Sequence, residues 1–151
     1  MTDLNKTPRY DRFGTVSLDV VMPLIHADMD APRKAERRYV SGKAVHVTSL
    51  RLRTFARHGI TCKTCGCSAS YFAIERDMYT ASKDGHYHLN MWGYDKEGND
   101  LLFTHDHVIA RCLGGLDNLS NTTTMCGPCN WKKGEEERIL HDKLKRGEYH
   151  G

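Results

Sequence analysis

The sequence predicts an α+β fold, a small zinc-stapled domain with an added β-hairpin and flanking helices. Three observations predict it. Strand-like runs rich in aromatic and branched residues (71–79, 86–95, 100–110) lie between helix-like stretches at 48–59 and beyond 127. The chain has 151 residues, enough for one domain with a modest core. Two Cys-x-x-Cys pairs, Cys62/Cys65 and Cys126/Cys129, stand sixty residues apart and offer four thiolates to one ion.

In chain order, residues 1–32 read as an irregular or loosely packed lead-in. The segment 31–40, "APRKAERRYV", is strongly basic and places Pro32 where a helix could begin. Residues 1–45 are expected to form a basic arm, and 46–151 the main domain. "TSLRLRTFARHG" (48–59) is a stronger helix. Thr48 or Ser49 can cap it, Leu52, Phe55 and Ala56 keep 3–4 spacing, and Gly59 can end it. "TCKTCGC" (61–67) is a tight knuckle. "YFAIERDMY" and "HYHLNMWGYD" are strands, "KEGN" (96–99) is a turn, and "DLLFTHDHVIA" (100–110) returns, so 86–110 is a hairpin. A polar loop (111–121), a short strand (122–125) and a helix starting near Gly127 or Pro128 complete the chain. Gly134 marks a place where that helix could kink or restart.

The composition is that of an ordinary globular protein, 39% hydrophobic and 27% charged. The net charge of +3 is unevenly spread. Residues 1–61 carry eleven Lys/Arg against six Asp/Glu (+5), residues 62–131 five against eight (−3), and residues 132–151 six against five (+1). Basic flanks around an acidic middle suit a protein that grips a polyanion and holds a cation centrally; solvated faces would look the same. No apolar leader or membrane-length segment is evident, so a cytoplasmic setting and no membrane partner are expected. There, six cysteines suit metal or redox chemistry better than disulfides. The four paired ones are expected to hold structural zinc. Cys67 could stand in for Cys65; otherwise Cys67 and Cys112 are small, partly buried residues.

With the thiolates assigned, "HDHVIARCLGGLDNLSNTTTMCGPCNWKKG" (105–134) still holds Asp106, His107, Asn118, Asn121 and Asn130. "DHVIA" (106–110), "GG" (114–115), Asn121, "CGPCN" (126–130) and "KKG" (132–134), with "CKTCG" (62–66) upstream, resemble the zinc-bearing branch of the HNH endonuclease family. The chain departs from the family pattern at Ala110, where many members have proline, at Asn130, where the last histidine commonly stands, and in an insertion over 68–99. The resemblance implies a ββα-metal core over 100–134 and a metal-dependent endonuclease that cuts or nicks DNA. It implies His107 as general base, Asp106 and Asn130 as ligands of magnesium or manganese, and Asn121 as the residue that fixes the loop and orients His107 through its backbone carbonyl. Asn118 is the alternative for that last role. The chemistry agrees: an ordinary histidine can take a proton from water near neutral pH, and carboxylate and amide oxygens suit hard cations. Because strand neighbours face opposite sides, strict alternation would pair His105 with His107 instead.

Candidate contacts to DNA are Arg111, Lys132 and Lys133 near the site, Arg51, Arg53 and Arg57 on the 48–59 helix, and the basic run Arg33, Lys34, Arg37 and Arg38. Trp92 and Trp131 are either stacking platforms or core, and His86 and His88 alternate on a strand. The rival readings are a non-catalytic zinc-ribbon module that binds nucleic acid and a nuclease directed at RNA. The compact form of the family suggests a bacterial or phage source.

Overall fold

The computed structural model describes residues 10–77 and 85–147. Among the described residues seven strands and three α-helices follow one another: β1 (Tyr10–Ser17), α1 (Leu18–Ala27), β2 (Arg38–Val40), β3 (Lys43–Val45), α2 (Leu50–His58), β4 (Ala69–Asp77), β5 (His88–Tyr94), β6 (Asp100–His107), β7 (Thr122–Cys126) and α3 (Gly127–Lys145). The α+β class and the order of the expected elements from 48 onward are as the sequence indicates.

The main sheet has five antiparallel strands in the order β1-β4-β5-β6-β7. Alternating apolar residues put Phe72, Ile74, Leu89, Met91 and Phe103 into the core, together with Leu52 and Phe55 of α2. Ser49 caps α2 through its side-chain oxygen, and Gly59 closes it at φ 95°, a region that favours glycine.

Residues 10–27, expected to be irregular or loosely packed, instead form β1 and α1. β1 pairs with β4 along its length, and Val21 and Ile25 are fully buried in the common core. Ser17 caps α1 through its hydroxyl oxygen, although Pro23 lies inside the helix. Residues 1–9 of the expected arm lie outside the described residues. No helix begins at Pro32; turns there lead into the small β2–β3 hairpin.

The 68–99 insertion supplies β4 and β5, the middle of the sheet, while 78–84 lie outside the described residues. Glu75 of β4 is buried with its carboxylate fully engaged. Arg12 Nε donates to Oε2 at 2.9 Å, while Trp92 Nε1 and Asn90 Nδ2 donate to Oε1 at 2.6 and 3.2 Å. This network ties β1, β4 and β5 together and assigns Trp92 to the core. Helix α3 runs unbroken through Gly134.

Candidate active site and metal centre

Strands β6 and β7 lie between two helices. Their register sets His107 opposite Thr122, Asp106 opposite Thr123 and His105 opposite Thr124. Thr122 shares a 2.8 Å hydroxyl bond with Thr54 of α2, so the His105 and His107 face looks toward α2. Asn130 of α3 donates to Thr104 Oγ1 at 2.7 Å, and Lys133 reaches Asp106, so the Asp106 face looks toward α3.

Alternation is therefore obeyed, and the His105 and His107 rings lie 5.6 Å apart on one face. Yet His105, Asp106 and His107 all line a single open cleft of about 390 Å³, with Arg111 from the loop and Glu137 and His141 from α3. β6 ends at His107 and pairs with β5 only as far as Leu102. Among the described strands only β7 pairs with its last residues, so side chains from both faces reach the same opening.

The loop from 108 to 121 is shaped by Asn121. Its amide oxygen accepts from Ile109 N at 2.9 Å, and its Nδ2 donates to Ile109 O at 3.1 Å and Leu116 O at 2.9 Å. Its backbone carbonyl, expected against His107, accepts from Val108 N at 2.8 Å, one residue further along. Asn118 spends its side-chain oxygen on the Ser120 hydroxyl at 2.6 Å. The glycine pair has a separate explanation. Gly114 adopts φ 93°, and a Cβ on Gly115 would stand 1.7 Å from Ile109 O and 2.9 Å from Asn121 Nδ2. Gly115→Ala is expected to destabilise the loop by about 3 kcal/mol, because backbone rather than a movable side chain blocks the methyl. Faster amide exchange over 108–121 with unchanged exchange in β4 would bear this out; uniform protection would refute it.

A residue that sequence reading passed over holds His107. Asp117 Oδ1 is 2.7 Å from His107 Nε2, and Arg111 grips the same carboxylate with Nε and an Nη at 2.8 Å each. Arg33 of the basic N-terminal run donates to the Asp117 carbonyl at 3.4 Å. The hydrogen bond from His107, and then the Arg111 pair, hold the Asp117 carboxyl below its usual range. Its only sequence signal was an acidic residue in a polar loop. Burial, then the charges of Arg51, His107 and Arg111, push His105 down to about 4 against the pull of Asp117, so this imidazole is neutral at neutral pH.

Asp106 is buried, with its Oδ2 2.9 Å from Lys133 Nζ. Burial opposes the charge on Lys133, but its bonds to Glu137 and Asp106 outweigh that and hold the ammonium above its ordinary range. Asn130 donates both amide hydrogens, to Thr104 Oγ1 and to His105 O at 3.1 Å, which turns its amide oxygen the other way.

The cysteine site lies at the opposite end of β7. Cys62, Cys65, Cys126 and Cys129 place their sulfurs within 4.8 Å of one another, and those of Cys65 and Cys126 are 3.7 Å apart. Zinc with Zn–S bonds of about 2.3 Å sets tetrahedral sulfurs about 3.8 Å apart. The first knuckle turns on the Gly66 N–H to Cys62 carbonyl bond and is pinned to β7 by Lys63 N to Thr124 O, at 3.0 and 3.1 Å. The second follows from Cys126 ending β7 and Cys129 lying in the first turn of α3, after Pro128. Burial opposes ionisation of Cys62, but backbone donors from Cys65, Cys126 and Thr64 and the Cys65 thiol outweigh it and bring the group to about 6. Burial pushes the Cys126 thiol up. Cys67 is half-buried against the core, outside the foursome, and Cys112 is exposed on the cleft. Among the described residues no metal cluster includes His86 or His88.

Residues 95–139 match the HNH endonuclease family. The matched HNH segment begins in the β5–β6 turn and runs into α3, so it contains Asp106, His107, Asn121 and Asn130. β6, the loop, β7 and α3 form the strand–loop–strand–helix unit that the resemblance implied. The α+β frame around it, with a cysteine set able to hold zinc, also agrees with that resemblance. Neither a curated protein nor a solved structure matches the chain. The HNH segment supports a nuclease type of activity and the use of a divalent metal.

Three of the cations expected to face DNA are engaged within the fold: Lys133 at Asp106, and two arginines of α2. Arg51 donates to Leu89 O at 2.9 Å and its Nε is buried; Arg53 donates to the carbonyl oxygens of Asp28 and Ala31. Their hydrogens hold α2 to its neighbours. Arg57, Arg111 and Lys132 are exposed, as is Trp131 at 61%. No described helix is long and apolar enough to cross a membrane.

Proposed function

We propose that the protein is a metal-dependent endonuclease that hydrolyses DNA phosphodiester bonds. The observation that carries this reading is the shared opening of Asp106 and His107 on one cleft, with His107 held by Asp117, inside the matched HNH segment.

His107 is the general base. Asp117 is a carboxylate, so it accepts, and His107 Nε2 carries the hydrogen between them. Nδ1 is then left as the lone pair that takes a proton from the attacking water. Arg111 keeps Asp117 charged and oriented, and its own exposed guanidinium lies where a phosphate beside the cut would pass. Asp106 would hold the divalent cation, and Asn130 would join it by turning its amide oxygen toward β6, giving up its bonds to Thr104 and the His105 carbonyl. The ammonium already on Asp106 Oδ2 supports a cation site, and an all-oxygen donor set fits magnesium or manganese. That cation, when bound, relieves charge on the phosphate and stabilises the leaving 3′-oxygen. Asn121 keeps the loop that carries Asp117 closed. Zinc on the four cysteines joins the first knuckle to the β7–α3 junction. Arg57, Arg111 and Lys132 are the proposed backbone contacts; Lys133 is engaged at Asp106.

The test is conversion of supercoiled plasmid by the zinc-loaded protein. Magnesium or manganese is expected to support nicked or linear product, EDTA to abolish it, and added magnesium to restore it without refolding. Restoration by zinc alone would refute the assigned metal chemistry. Binding without cleavage under every metal, on RNA and branched DNA as well, would favour the zinc-ribbon binding module.

A further inference from the structure

Three oxygens converge on one side chain between β6 and α3. Lys133 Nζ lies 2.9 Å from Asp106 Oδ2, 2.5 Å from Glu137 Oε1 and 2.9 Å from the His107 carbonyl oxygen. An ammonium has three hydrogens, and each has an acceptor here. Glu137 stands one helical turn beyond Lys133, on the face that meets β6, so both side chains reach the strand from α3. An exposed i,i+4 pair would contribute little. This pair differs in being closed over a buried carboxylate and a strand carbonyl. The side chains of Asp106 and Glu137 are 10% and 19% exposed. Two carboxylates against one ammonium leave an oxygen cage with a net negative charge.

Resting on the proposed role of Asp106 as a ligand, we infer that Glu137 is a further oxygen ligand of the divalent cation, and that Lys133 is a resident counter-ion which the metal displaces. A lysine is a compact charge on a flexible stem and can leave without backbone movement. A divalent cation draws on the same hard oxygens at shorter distances and twice the charge. Ammonium and metal therefore compete for one site. Removing the lysine strengthens metal binding, and neutralising Glu137 weakens it.

The experiment is a Mn²⁺ titration of zinc-loaded protein, with free Mn²⁺ read by electron paramagnetic resonance at fixed pH and ionic strength. Wild type is compared with Asp106→Asn, Glu137→Gln and Lys133→Met, each checked for its melting transition. Glu137→Gln is expected to weaken Mn²⁺ about tenfold, and Lys133→Met to tighten it by a similar factor, the scale on which groups around a ligand act. If Asp106→Asn loses Mn²⁺ while Glu137→Gln and Lys133→Met bind as wild type does, the pair is only a structural clasp and the inference falls alone. If Asp106→Asn binds like wild type, the underlying ligand assignment falls with it. Should Lys133→Met fail to fold, Glu137→Gln still decides, because it leaves the Lys133–Asp106 bond in place.

Discussion

His107→Ala is expected to fold, keep its zinc and bind DNA while cutting at least about 100-fold more slowly. The size follows from what a positioned base contributes to proton transfer in the transition state. Retention of fold follows from the site's geometry. The His107 side chain bonds to an exposed carboxylate at the end of β6, not to the core, and Asp117 keeps Arg111 when the imidazole is gone. Paired rates on supercoiled plasmid, with matching melting curves, make the measurement. Equal rates would remove His107 from the mechanism. A loss of binding as large as the loss of rate would instead make it a contact to nucleic acid. Asp117→Asn gives an internal comparison. It preserves shape but can present an N–H to Nε2, favouring the other tautomer, so a lower kcat at unchanged KM is the signature of a positioning role.

Cys62→Ser and Cys126→Ser are each expected to release zinc and cost the domain its cooperative unfolding transition. Metal binding is folding free energy where the ligands come from separated parts of the chain. Here they come from the knuckle after α2 and from the β7–α3 junction, residues 62–65 and 126–129. Without the ion, sulfurs that lie within 4.8 Å of one another, two of them on buried residues, lose the bonds that would join the two knuckles. β7 would lose its anchor to the knuckle, and α3 the link at its first turn. Zinc content by atomic spectroscopy and a circular-dichroism melt together decide the matter. A zinc-free variant with wild-type helicity and a sharp transition would overturn the structural role.

The helix α2, the strands β4 to β7 and the start of α3 were legible because their signals are local. Alternation, 3–4 spacing, a capping serine and a closing glycine act within a few residues of chain. The four clustered cysteines were legible by spacing, and Asp106, His107, Asn121 and Asn130 by their match to a motif. β1 and α1 were missed for the opposite reason. β1 is held by its pairing with β4, about sixty residues away, and α1 by the burial of Val21 and Ile25, while Pro23 argued locally against a helix. No window of sequence contains such a partner.

The same division runs through the site. By itself, the sequence determined the class of fold, the cysteine foursome and the chemistry on offer at 105–134. Those depend on residue type and spacing alone. Tertiary structure decided which groups meet. It put Asp117 on His107, Glu137 and Lys133 around Asp106, and Arg51 and Arg53 against backbone carbonyls rather than solvent. These side chains find partners 4 to 38 positions away along the chain, and a cation's role depends on whether the carboxylate or carbonyl it meets is buried. That is a property of the packed molecule, set when β6 and β7 close between α2 and α3.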